Sequence, residues 1–211
     1  PREDLTNQSC YSMWIWAQST SHVPTGRFCA IGVSTRTVGL RSDYSMNNDE
    51  NNRRQLAWVT GASGLIGSHV VQSAESYAPG WEIRGLSRKD FDLTDFPETQ
   101  RQFEQDNPGL VIHCAAMSDP NSCESEPDKA RFINRESTFF LSGLAQDIPF
   151  VFFSTDLVFN GNHGQYTEQD EPSPLTVYAR TKAEAEQLVL ANPLHTVVRT
   201  SLTAGTSPRG S

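Results

Sequence analysis

No stretch of this chain stays apolar for the roughly 20 residues that a helix needs to cross a bilayer. The patches Met13-Trp14-Ile15-Trp16-Ala17 and Phe28-Cys29-Ala30-Ile31 are too short even for the apolar region of a secretory signal. Cysteine is scarce: Cys10, Cys29, Cys114 and Cys123 contain no C-x-x-C pair. Their spacing predicts neither a zinc site nor a disulfide framework, and free thiols in a reducing compartment are expected. Positive charge is in deficit, with 17 Lys and Arg against 25 Asp and Glu and a formal net charge of -8. That balance argues against nonspecific attraction to nucleic acid or to an anionic membrane, while leaving room for a local phosphate pocket. The expectation is a soluble, cytoplasmic protein. Hydrophobic residues reach only 36%, so part of the chain is expected to stay outside any core.

That part is residues 1–54, which are rich in Ser, Thr, Asn and Arg and keep no sustained helix or strand period. Residues 45–54 are polar enough for a linker or a free terminus. The expected organisation is a disordered or unassigned extension over 1–54 and a single dinucleotide-binding domain over 55–211. From Gln55 short apolar runs alternate with helix-length segments. Strands are predicted at residues 56–60, 81–86, 110–114, 150–153 and 196–199, and helices at 65–77, 97–106, 127–145 and 178–190. In the third helix Ile133, Phe140, Leu141 and Leu144 are expected to share the buried face. Continuous apolar strands separated by helices predict an α/β fold, a Rossmann-type doubly wound parallel sheet. Such sheets bind ligands at the carboxyl ends of their strands, where residues 115–122 and 156–173 form the predicted long loops.

Between the first strand and helix lies Thr60-Gly61-Ala62-Ser63-Gly64-Leu65-Ile66-Gly67. A dinucleotide needs a tight turn, close backbone approach to its pyrophosphate and a helix N-terminus aimed at negative charge. The spacing is G-x-x-G-x-x-G, and its position predicts cofactor contacts from Gly61, Ser63, Gly64, Leu65, Ile66 and Gly67. The residue about twenty positions further on reads the ribose. Here Ser87-Arg88-Lys89 replaces the acid that NAD(H) would call for, with Asp90 next to it. Two cations suit a 2'-phosphate, Arg88 with a guanidinium fork and Lys89 with a mobile charge, so the pair predicts NADP(H), with NAD(H) the alternative.

Tyr178-Ala179-Arg180-Thr181-Lys182 sets a phenol and an ammonium one helical turn apart. Their face continues through Ala185 and Val189, so Lys182 is predicted to be buried, where a lysine needs a reason. Carbonyl reduction supplies one: hydride goes to the carbonyl carbon, a proton goes to the oxygen, and an ammonium stabilises the phenolate left behind. The fourth strand ends in Ser154-Thr155-Asp156, where a hydroxyl could donate to the developing oxyanion. Thr155 is the preferred donor and Ser154 a second candidate.

Together these residues resemble the extended short-chain dehydrogenase/reductases, and within them the dTDP-4-dehydrorhamnose reductase-like, sugar-nucleotide-binding family. The specific matches are Ser154-Thr155-Asp156-Leu157-Val158-Phe159-Asn160-Gly161, Tyr166-x-Glu168-x-Asp170-x-Pro172 and Tyr178-x-x-x-Lys182. Asp92-Leu93-Thr94-Asp95, the segment from Pro108 to Ala116 and Cys123-Glu124-x-x-Pro127 also match. The resemblance implies NADPH-dependent reduction of a keto group on a nucleotide-linked sugar, with Thr155, Tyr178 and Lys182 catalytic. It implies further cofactor contacts from Ala115, Ala116 and Met117, and a homodimer is compatible with it. It also implies a substrate-binding region beyond the last predicted strand, which residues up to Ser211 are expected to lack. Two alternatives share the pattern: a non-catalytic NADP(H)-binding subunit like the methionine adenosyltransferase beta subunit, and a nucleotide-sugar epimerase or dehydratase.

Overall fold

The computed structural model describes residues 15–18 and 55–201. Cys10, Cys29, the polar stretch 45–54 and residues 202–211 lie outside the described residues. Strands β2 (Gln55–Thr60), β3 (Trp81–Leu86), β4 (Leu110–His113), β5 (Phe150–Thr155) and β6 (His195–Thr200) alternate with helices. These are α1 (Leu65–Tyr77), α2 (Phe96–Asp106), α3 (Pro120–Ser125), α4 (Pro127–Arg131), α5 (Ser137–Leu144) and α6 (Val177–Val189). The five strands are parallel in the spatial order β3-β2-β4-β5-β6. A short strand β1 (Ile15–Gln18), in a region where no element is predicted from the sequence, pairs antiparallel with β6 at the edge.

The apolar runs give these strands because side chains on both faces are covered by helices. Trp58, Val111, Phe150, Phe152 and Val197 of the sheet pack with Leu141, Ala185 and Val189 of the helices in one cluster. The chain passes from β2 to β3 on one side and then returns to place β4 on the other side of β2. This reversal opens a crevice beyond the carboxyl ends of β2 and β4, the position where such sheets take ligands.

Two features depart from the expected elements. The loop predicted at 115–122 contains the start of α3, capped by Asp119, whose side chain accepts the Ser122 N–H at 2.8 Å, with Pro120 in the first turn. The helix predicted at 127–145 is continuous in path but widens into a π turn at Phe132–Glu136, where Ser137 N–H donates to the Phe132 carbonyl. The extra residue changes the inward set. Asn134, Thr138 and Leu141 are buried, while Phe140 stacks at 4.5 Å on Phe96 and Ile133 lines the crevice.

Trp58 is fully buried and its indole Nε1–H donates to Asp106 at 2.7 Å, at the C-terminal end of α2. Arg84 pairs with the same carboxylate. Asp106→Ala is expected to leave the indole N–H without its acceptor and to cost about 1–3 kcal/mol, read as a lower midpoint in urea unfolding.

Candidate cofactor and active site

At the end of β2 the backbone turns through Gly61 with φ +69, a conformation that side chains disfavour. A Cβ there would also lie 2.7 Å from the Ala115 nitrogen and 2.8 Å from the Cys114 carbonyl carbon, so only glycine lets the turns after β2 and β4 touch. A Cβ on Gly67 would stand 2.4 Å from the Gly61 carbonyl oxygen, which fixes how closely α1 approaches the turn. Gly64 caps α1 with no side-chain hydrogen bond, and no acidic residue occupies the first turn. The helix N-terminus is therefore free of internal negative charge where it faces the crevice.

That crevice has a volume of about 900 Å³. Gly61, Ser63, Gly64, Leu65, Ile66 and Gly67 line it, and so do Arg88, Ala115, Ala116, Thr155, Tyr178 and Lys182. Of the site residues expected from the sequence, Met117 is outside the lining. Its backbone N–H donates to Asn134 Oδ1 at 2.7 Å, and its carbonyl accepts from Asn134 Nδ2 at 3.0 Å. Lys89 does not line the crevice either. Asp90 accepts from the Ser87 backbone N–H and hydroxyl, both at 2.8 Å, so it serves the turn. Phe91, Asp92, Leu93 and Thr94 add a wall beyond Arg88 that the sequence analysis did not assign to the site. The Thr94 backbone N–H and hydroxyl, with the Arg88 guanidinium, hold the Asp92 carboxyl below its usual range.

Helix α6 starts at the Thr176 cap, whose hydroxyl accepts the Ala179 N–H at 3.2 Å, and carries Tyr178 and Lys182 into the same space. Lys182 is 2% exposed. Its ammonium donates to the Phe153 carbonyl at 2.6 Å and lies 3.9 Å from the centre of the Phe152 ring. Burial pushes the amine down to about 7, against the opposing pull of Glu186 and Cys114. Burial, with Cys123 and Asp156 adding to it, pushes the Tyr178 phenol up to about 12. Thr155 Oγ1 accepts the Leu157 N–H at 3.2 Å and donates to Asp156 at 3.3 Å, so its hydroxyl sits at the mouth of β5. Ser154 lines the crevice too, 4% exposed, and its hydroxyl has no hydrogen-bond partner. A donor hydroxyl, a phenol and an adjacent buried ammonium are the parts that proton delivery to a reducible carbonyl requires.

Two polar networks hold this arrangement, and neither was legible in the residue pattern. Asn134, buried in the π turn, ties Met117 to α6 by donating to Thr181 Oγ1 at 3.0 Å, and Thr181 in turn donates to the Tyr178 carbonyl at 2.8 Å. The second network runs through His113, buried between β2 and α5. Thr138 donates to the Asn134 carbonyl at 2.7 Å, so it must accept from His113 Nε2–H at 3.0 Å. His113 Nδ1 then accepts from Thr60 Oγ1 at 2.7 Å, leaving that oxygen to accept the Ala115 N–H at 3.3 Å. Every proton in the chain has one direction, which fits an imidazole that burial, with Lys182 adding to it, keeps neutral down to about 3.

The buried ammonium costs stability, with a defined pH dependence. Between the folded value of about 7 and the unfolded 10.5, the unfolded chain binds the proton that the folded chain has released. Stability therefore rises with pH across that window, and the cost is full below about 7. Lys182→Met is expected to be the more stable protein at neutral pH, by on the order of 1 kcal/mol. Urea unfolding at several pH values should show that gain shrinking toward pH 10.

The chain matches the family described as RmlD substrate binding domain over residues 56–210. It is 35% identical to a probable low-salt glycan biosynthesis reductase of Haloferax volcanii, over 71% of this chain and 54% of that protein. It is also 35% identical to methionine adenosyltransferase 2 subunit beta of Rattus norvegicus, over 66% of this chain and 44% of that one. Among solved structures, dTDP-4-dehydrorhamnose reductase of Bacillus anthracis in complex with NADP superposes with a TM-score of 0.67 at 28% identity, covering 72% of this chain and 55% of that one. The chain thus spans about half the length of the curated relatives it matches. With a matching family over most of its length and a solved reductase that superposes on its fold, the chain belongs to the RmlD-like family of extended short-chain dehydrogenase/reductases.

Proposed function

We propose that this chain is the cofactor-binding half of an NADPH-dependent reductase that acts on a keto group of a nucleotide-linked sugar. The observation that carries the reading is the shared crevice. The glycine turn and Arg88 line one part, and Thr155, Tyr178 and Lys182 line another. A dinucleotide lying along it would have its pyrophosphate at the start of α1 and its nicotinamide near Tyr178. Lys182 would hold the nicotinamide ribose and stabilise the phenolate as Tyr178 gives up its proton. Thr155 would steady the substrate oxygen. NADP in the similar Bacillus anthracis reductase supports the cofactor, and the reductase relatives support the substrate class. The setting is reducing and cytoplasmic on this reading, in keeping with unpaired Cys114 and Cys123.

A second reading has a specific observation in its favour, the similarity to the methionine adenosyltransferase subunit. On that reading the chain binds NADP(H) and reduces nothing. Retention of Thr155, Tyr178 and Lys182 around one crevice supports the enzyme, because a binding module needs no proton donor there.

Calorimetric titration with NADPH and NADH tests the cofactor. Arg88→Ala is expected to weaken NADPH by about 10- to 100-fold, the worth of a charge-assisted contact, while leaving NADH nearly unchanged. An unchanged ratio would move the 2'-phosphate contact elsewhere. With a keto-sugar nucleotide as substrate, Tyr178→Phe is expected to stop NADPH oxidation while NADPH affinity stays within about twofold. Turnover at the unsubstituted rate in that variant would sink the mechanism.

A further inference from the structure

Helix α6 buries two opposite charges one turn apart, Lys182 and Glu186, each 2% exposed. A third buried charge meets them from the sheet. Arg199 of β6, 4% exposed, grips the Glu186 carboxylate with Nε at 3.0 and 3.2 Å and Nη2 at 2.7 Å. The guanidinium also lies over the Phe159 ring, 4.9 Å from its centre. Apolar side chains of similar volume usually serve stability as well as a buried ion pair does, so the pair calls for another role. We propose that Glu186, clamped by Arg199, is a positioning residue that favours the cationic form of Lys182 inside the crevice.

Lys182 meets groups from three elements. From β4 come the His113 imidazole, neutral down to about 3, and the Cys114 thiol, which burial pushes up to about 12. From α6 comes the Tyr178 phenol, pushed up to about 12. All three are uncharged near pH 7. From β5 come the Phe153 carbonyl and the Phe152 ring, which offer only partial charges. Asp156 bears on Tyr178. The full negative charge acting on the ammonium is that of Glu186, which pulls the amine up against its burial. The two-point grip of Arg199 stops that carboxylate from swinging away. Because Arg199 joins from β6, the pair acts as a dipole whose negative end is on the lysine's helix. The importance of the charge rests on the reductase reading, but the effect on Lys182 does not.

The test is a titration of Lys182 in the full chain carrying labelled lysine, its NMR signal identified by its loss in Lys182→Arg. Glu186→Gln is expected to raise the acid dissociation constant of Lys182 about tenfold or more. A folded Glu186→Gln chain whose Lys182 midpoint stays within about twofold of the unsubstituted value would overturn the proposal. Since Glu186→Gln leaves Arg199 buried and unpaired, Glu186→Gln with Arg199→Met supplies a variant with neither charge. The expected shift there is in the same direction and smaller, and an unshifted Lys182 in that folded variant also overturns the proposal. NADPH affinity measured on the same samples separates the two claims. A shifted Lys182 with pH-independent NADPH binding upholds the role of Glu186 and counts against the reductase reading.

Discussion

The close approach of two turns at the middle of the sheet is the constraint on which the rest depends. Gly61 ends β2 with a backbone conformation and a proximity to Ala115 that a methyl group would forbid. The contact sits where the strand order reverses, so it determines how wide the crevice is at its base. Gly67 then brings α1 down onto the same carbonyl, and the polar chain from Ala115 through Thr60 and His113 to Thr138 ties the turn to the helix behind it. Small residues and one neutral imidazole thus hold open a space whose walls carry the charged and reactive groups.

Those groups are stabilised by one another more than by solvent. Lys182 depends on a carbonyl, an aromatic ring and a carboxylate one turn away, and that carboxylate depends on Arg199 from the neighbouring strand. A core of the same size without these charges would be more stable. The fold accepts the deficit at the one helix that also carries Tyr178, and the surrounding cluster of Trp58, Phe150, Phe152 and Val197 offsets it.

Much of this was legible in the sequence, for physical reasons. Parallel strands covered on both faces must be apolar throughout, so β2, β4 and β5 stood out as runs. The glycine turn was visible because left-handed backbone and close approach leave few residue choices. The pairing of Tyr178 with Lys182 was visible because a lysine on a buried stripe needs a reason, of which snorkelling to the surface is the bland one. What could not be read was long-range and polar. Asn134 looked like an ordinary helical residue, and nothing in its neighbours announced that it would hold Met117 and Thr181, residues 17 and 47 positions away. In the wall of Phe91, Asp92, Leu93 and Thr94, the last three were matched within a segment but not seen as part of the site, because that role depends on where β3 ends. Glu186 and Arg199 are 13 residues apart and meet only when β6 lies beneath α6.

The π turn at Phe132–Glu136 makes the helix sensitive to counting on either side of it. An α-helix advances by about 100° per residue, so the same residues wound as a regular helix would rotate everything on one side of the turn relative to the other. The site wall and the core are thus set to a common phase by a single surplus residue. Loss of one residue within the turn would let it close as a regular helix with neither end rotated, whereas a change of length elsewhere in this helix would rotate one end against the other.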